Sequence, residues 1–280
     1  MLPLTDYLQT AVRAAHAGAA ILNAYRTSPN SLVIDFKGRN DLVSQADRES
    51  EQAIIEILRN GAPSCGIIAE ETGGHADGPA TWHIDPLDGT TNYLHGIGHF
   101  AVSIGLVGHA GTVDPTGQVL EADTPILGVI YDPSREEIFT GIRGVGAWCN
   151  GHRIQHSGAR QLSNTLIAAG IPVRELEHID AYMNVIKDVV LCTRGIRRHG
   201  AAALDLAWVA CGRVDGYFEE KLSTWDIAAG VVIAQEAGAV VSDPLDPQAS
   251  WPASGRLVAA GSEIHDALVS IYSSHMQHTR

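Results

Sequence analysis

The run Trp82-His83-Ile84-Asp85-Pro86-Leu87-Asp88-Gly89-Thr90-Thr91-Asn92 constrains this chain more tightly than any other stretch of it. Trp82 to Ile84 has the apolar character of a short strand, and Pro86 with Gly89 predicts a sharp turn just beyond it. Asp85 and Asp88 then face one small space. Thr90 is placed to start a helix, where free backbone N–H groups and the positive end of the dipole favour an anion such as phosphate. Carboxylates suited to a hard cation thus sit beside an anion cradle. Taken singly, Asp85-Pro86 and Asp88-Gly89 would be ordinary turn dipeptides and Thr90 a plain N-cap.

Two further stretches argue against that plainer reading. Ile67-Ile68-Ala69-Glu70-Glu71-Thr72-Gly73-Gly74 puts a pair of carboxylates after another apolar strand. Ser223-Thr224-Trp225-Asp226-Ile227-Ala228-Ala229-Gly230 puts Asp226 at the start of an apolar helix running to about Glu236, with Gly238 as its stop before a strand from Ala239 to Ser242. One carboxylate in a first helical turn is often only a dipole partner. Several, in similar settings, point to shared chemistry.

Together with Asp41-Leu42-Val43-Ser44-Gln45-Ala46-Asp47, these stretches resemble, in order and over most of the chain, the four sequence blocks of the inositol monophosphatase family. The resemblance implies a mixed α/β fold, a layered α-β-α-β-α sandwich of the inositol monophosphatase and fructose-1,6-bisphosphatase type. It implies one unit over residues 1–280, with a metal- and phosphate-binding half (1–155), a substrate-side half (156–280) and the metal site where they meet. A cytoplasmic, lithium-sensitive, magnesium-dependent homodimer is the corresponding expectation.

Composition fits. A chain of 280 residues with 45% hydrophobic and 18% charged content can bury a large core. A formal charge of −13 argues against nucleic acid or an anionic membrane as the main partner. A small anionic metabolite stays compatible, because bound divalent cations invert the local sign. Cys65, Cys149, Cys192 and Cys211 show no C-x-x-C spacing and no apolar leader precedes them, so a reducing cytosol is expected. His95 and His99 stand four apart, but Gly96 and Gly98 break any helix there and no Cys or third His lies at zinc spacing. Oxygen ligands favour Mg²⁺, or Mn²⁺, instead.

Helical and strand signals alternate without repeats. Leu4, Leu8, Ala11, Val12, Ala15, Ala19 and Leu22 form one helical stripe, and a second helix is expected from Asp47 to Arg59, with Ser44 and Asp47 at capping-box spacing. Strands are expected near Phe100–Val107, Ile126–Tyr131, Glu137–Gly141 and Ala147–Ile154, the last turning at Asn150-Gly151. Further on come strands at Thr165–Ala169, Val214–Glu219 and Arg256–Ala260, helices at Ile179–Leu191 and Ala202–Cys211, and a last helix capped by Ser262. The segment 108–125 is expected to project as a surface loop.

A phosphate monoester dianion cannot approach Glu70, Asp85, Asp88 and Asp226 unless cations lie between, so two or three Mg²⁺ ions are expected. One, held by Glu70, Asp85 and, by resemblance, the Leu87 carbonyl, would acidify the attacking water. Another, held by Asp85, Asp88 and Asp226, would stabilise the leaving oxygen. The family adds a weaker third near Glu70. Thr90, hydrogen-bonded to Asp47, would orient the water, and the N–H groups of Gly89 and Thr90, beside Thr91, would hold phosphate. By resemblance, Lys37 lies near that water, and Glu219 accepts hydrogen bonds from substrate hydroxyls with the Ala202 backbone assisting.

Departures from the family pattern bear on substrate: Ala69 replaces a glycine before the Glu pair, and Gly170-Ile171-Pro172-Val173-Arg174 at the substrate rim is closer to bacterial members. The expected activity is hydrolysis of myo-inositol monophosphates. The alternatives are the same chemistry on histidinol phosphate, fructose 1,6-bisphosphate or adenosine 3′,5′-bisphosphate, or a non-catalytic regulatory protein on this fold.

Overall fold

The structure is a computed structural model describing the backbone of residues 2–27, 34–38, 41–172 and 176–277, and side chains over those ranges except 34–44. Helix α1 (Leu4–Thr27) buries the expected stripe, including Leu4, Ala11, Ala15, Ala19 and Leu22. A hairpin of β1 (Ile34–Gly38) and β2 (Asp41–Ser44) follows, then α2 (Gln45–Gly61). Next come β3 (Gly66–Ala69), β4 (Gly73–His75), β5 (Ala80–Asp88) and the short α3 (Thr90–Leu94). Strands β6 (Ala101–Gly108), β7 (Thr124–Asp132), β8 (Glu137–Ile142), β9 (Gly146–Cys149) and β10 (His152–Arg153) form a meander.

The remainder is β11 (Leu166–Ala169), α4 (Ile179–Cys192), β12 (Gly195–Arg197), α5 (Ala202–Ala210) and β13 (Gly216–Glu219). It closes with α6 (Thr224–Glu236), β14 (Val240–Ser242), β15 (Leu257–Ala260) and α7 (Ser262–Met276). An eight-stranded sheet has the order β10-β9-β8-β7-β6-β5-β3-β4, and a five-stranded one the order β12-β11-β13-β15-β14. Both are mixed: β3 runs parallel to β5 and β11 parallel to β12 and β13, while the other pairs are antiparallel.

Three apolar clusters set the layering. The first joins α1 and α2 to one face of the large sheet through Leu22, Ile54, Trp82 and Ile104. The second holds α5 and α6 between the sheets, and the third packs α4 and α7 on the outer face of the small sheet through Tyr182, Phe218 and Leu268. The result is α-β-α-β-α. Helix α6 is buried at every position from Ile227 to Ala234, which explains why its sequence is apolar all round instead of striped.

Several boundaries differ from the sequence reading. The strand expected to stop at Ile84 continues to Asp88 as β5, with an irregularity in its pairing to β6 between Asp85 and Asp88. Pro86 lacks an N–H and so falls where the ladder is interrupted. The sharp turn comes instead at Gly89, whose φ of 89° is left-handed. Ser262 does not cap α7: Gly261 occupies the N-cap and Ser262 Oγ donates to Glu263 at 2.8 Å. Asn150 and Gly151 both take positive φ and close β9 onto β10 as expected. The segment 109–123 folds on buried Asp114, which accepts bonds from Thr116, Gln118 and Arg143.

Helix α6 lies directly on the large sheet because Gly105 and Gly128 have no side chain. A Cβ at Gly128 would come 2.4 Å from the Ala229 carbonyl oxygen, a backbone atom that no rotamer change can move. Gly128→Ala should therefore lower stability by about 1–3 kcal/mol, the usual cost of overpacking. Urea unfolding measures this, and an unchanged midpoint would mean that α6 can shift off the sheet.

Candidate active site

A cavity of about 570 Å³ opens where the ends of β3, β5 and β13 meet the starts of α5 and α6. Glu70, Asp85, Asp88, Glu219 and Asp226 all line it. These carboxylates, up to 156 positions apart, come from strand ends and helix starts, where side chains leave the regular ladder and face a crevice.

Each is held by its own local chemistry. Glu70 lies just past β3, where its N–H continues the ladder to the Ile84 carbonyl at 3.1 Å. Buried Glu51 on α2 fixes the next two residues, accepting the N–H groups of Glu71 at 2.7 Å and Thr72 at 2.8 Å. Asp85 Oδ1 accepts the Leu87 N–H at 2.9 Å. Asp88 accepts two N–H groups at the start of α5, Ala202 at 3.2 Å and Ala203 at 2.8 Å. Asp226 forms a capping box with Ser223, whose N–H it accepts at 2.7 Å.

Crowding of like charge dominates the electrostatics. Asp85 is pushed well above the usual carboxylate range, first by burial and then by the charges of Glu70, Asp88 and Asp226. Asp88 is pushed the same way by burial and by Asp226. An all-oxygen donor set under this much repulsion fits a hard divalent cation, which would relieve it. Thr90 Oγ1 donates to the Leu87 carbonyl at 3.1 Å, and buried Asp47 lies 3.5 Å from the same hydroxyl. Both contacts tie the first turn of α3 to the carboxylates.

Glu219 ends β13 at the far wall. The Tyr217 hydroxyl donates to it at 2.5 Å, and burial raises its pKa to about 7. Gly170 leaves room for it: a Cβ there would overlap the Glu219 carboxyl. Gly89, Thr90, Thr91 and Ala202 also line the cavity. The Ala202 N–H is bonded to Asp88. Lys37 falls in β1, but its side chain is outside the described residues, as are Val173 and Arg174 of the expected rim.

Some site residues escaped the sequence reading. Glu51 looked like one more polar position on an amphipathic helix. Asn92, the last residue of the Trp82–Asn92 run, donates to the carbonyls of His99 at 2.8 Å and His199 at 2.7 Å, joining α3 to the segment before α5. His95, Arg198 and Lys221 also line the cavity, beside Ile171 of the expected substrate rim. Lys221, a non-glycine residue at φ 64° between the strand and helix that supply Glu219 and Asp226, gives no sign of this in the sequence.

The family model described as the inositol monophosphatase family matches residues 4–277. The chain belongs to this family. Among its curated relatives, the Nus factor SuhB of Salmonella typhimurium is 40% identical over 266 residues, 94% of each chain. Among solved structures, the extragenic suppressor protein suhB of Bartonella henselae is 35% identical with a TM-score of 0.85, covering 95% of this chain and 98% of its own. An inositol monophosphatase from Anabaena is 36% identical, with a TM-score of 0.78 and 98% coverage of both chains. Inositol monophosphatase family members act on small phosphate esters and are in general magnesium-dependent. No helix among the described residues is long and apolar enough to cross a membrane.

Asn92→Ala would leave two carbonyls without the amide that joins them. Two neutral hydrogen bonds predict a loss of about 1–3 kcal/mol in denaturant unfolding. Faster amide exchange at Ala202 and Ala203 should accompany it. Unchanged exchange there would show that the segment before α5 is held by other contacts.

Proposed function

We propose that the chain is a Mg²⁺-dependent phosphomonoesterase acting on myo-inositol monophosphates. The observation that carries this is the convergence of Glu70, Asp85, Asp88 and Asp226 on one cavity with Glu219 across from them. In this reading Glu70, Asp85, Asp88, Asp226 and the Leu87 carbonyl hold the ions. When bound, magnesium supplies an acidified water and neutralises charge on the phosphate and leaving oxygen.

The protein's own groups do the positioning. The Thr90 hydroxyl turns its proton from the Leu87 carbonyl to Asp47 and orients the attacking water, taking up the water's proton as it passes its own to Asp47. The Gly89 and Thr90 N–H groups receive phosphate oxygens at the start of α3. Glu219 accepts hydrogen bonds from ring hydroxyls, and Tyr217 keeps its carboxyl in one orientation. Asp88 stays in place because α5 donates two N–H groups to it.

A second reading is a binding role on the same fold. It draws support from the relatives in Neisseria meningitidis and Salmonella typhimurium that carry the name Nus factor, and it leaves nucleic acid open as a partner class. Phosphate release from a panel of inositol, histidinol, fructose and adenosine phosphates with Mg²⁺ separates the two readings. No release from any ester would favour the binding role.

Asp88→Asn and Asp226→Asn should each cut turnover more than about a hundredfold at saturating Mg²⁺, since each removes a charged donor without changing size. Near-normal turnover in either would overturn the donor set. Thr90→Ala should lower kcat more than it raises KM. Glu219→Ala should cost inositol phosphate about 1.5–3 kcal/mol in kcat/KM and leave a simple aryl phosphate almost unaffected. Equal losses on both substrates would place Glu219 in the fold or the ion site instead.

A further inference from the structure

We propose that His99, His199 and Asp205 form a second metal site, for a borderline-soft transition ion of the zinc class, separate from the acidic cavity. One ligand atom from each lies within 4.8 Å of the other two. Bonds of about 2.1 Å in a tetrahedral zinc site put ligand atoms about 3.4 Å apart, so closure needs shifts of about 1 Å. Two imidazoles with one carboxylate are a donor set that favours zinc over magnesium.

His99 supplies the independent observation. It is 6% exposed, and its Nε2 is buried with no hydrogen-bond partner among the described residues. Buried polar atoms are almost always satisfied, so an orphaned imidazole nitrogen beside two further donors calls for a missing partner. Burial and the neighbouring His199 and Arg135 hold His99 neutral, with a pKa of about 3, so a lone pair is available to a cation. His199 Nδ1 lies 2.5 Å from Asp205 Oδ1, so an ion entering between them would replace this hydrogen bond with one bond from each.

The surroundings are built for rigidity. Trp208 packs edge-on against both rings at 4.9 Å. Arg135 and Arg213 stack on that indole, and their charge would oppose a dication. Each is offset by its own carboxylate: Arg135 by Asp132 at 2.7 Å and Arg213 by Glu137 at 2.5 Å. Partly exposed His199 gives the ion a way in. The fourth position would fall to water. Because residues 199–205 also carry the two N–H groups that hold Asp88, an ion here would stiffen the segment that positions it.

Trp208 Nε1 is likewise buried with no partner among the described residues, so a trapped water is the competing occupant. Titrating the intact protein with Co²⁺ under excess Mg²⁺, which saturates the acidic cavity, separates the two. Four-coordinate cobalt with nitrogen ligands absorbs strongly in the visible, and six-coordinate oxygen-ligated cobalt only weakly. The expected result is one equivalent of Co²⁺ giving a strong band that Zn²⁺ abolishes. The band should persist in Asp226→Asn and disappear in His199→Gln and Asp205→Asn. A weak six-coordinate spectrum in the unaltered protein overturns the site, as does a strong band that survives His199→Gln. The spectrum of the unaltered protein decides the matter even if a variant fails to fold.

Discussion

Repulsion among buried carboxylates is the constraint around which this molecule is organised. Asp85 and Asp88 are both held well above their ordinary range by burial and by one another's neighbours. A chain left to minimise its own energy would separate them. Here they are kept together by fixed backbone: the irregularity in β5, two N–H groups from α5 and the capping box of α6. The stability forgone at this point is what makes the cavity attractive to cations and, through them, to a phosphate dianion.

The layering follows from the same need. Carboxylates from four segments can meet only if strand ends and helix starts from distant parts of the chain are brought to one place. Helices α5 and α6 do this by lying between the two sheets, with α6 against Gly105 and Gly128 and α5 donating to Asp88. Packing that close tolerates little drift. The position of Asp226 relative to Asp88 is thus set by backbone contact, not by flexible side chains.

The acidic blocks were legible in the sequence because each is local: a strand end, a turn and a helix start within a few residues. Their convergence was legible only through family resemblance, since no spacing shows that residue 226 faces residue 88. Strand β5 was read too short because Pro86 signals a break, whereas the chain absorbs it as an interruption of pairing. Glu51 was invisible because a buried acceptor of loop amides is spelled like any polar helix position. The hairpin β1–β2 was missed although Ile34 to Lys37 alternates apolar and polar, because strands of five and four residues are too short for a periodic signal to stand out.

The histidines show the limit of spacing most directly. His95 and His99, four apart, invited a helical metal motif, and Gly96 and Gly98 ruled it out. In the structure His95 lines the acidic cavity while His99 turns away into the core, meeting His199 and Asp205 a hundred residues later. That separation is produced by the glycines themselves: Gly96 takes φ 72°, ending α3 and sending the chain toward β6. A local argument against one metal site is therefore the cause of another arrangement. Asn92 joins the two, since the amide that closes α3 binds the carbonyls of both His99 and His199. The carboxylate cavity and the histidine cluster accordingly share one support, and motion in either has a direct mechanical route to Asp88.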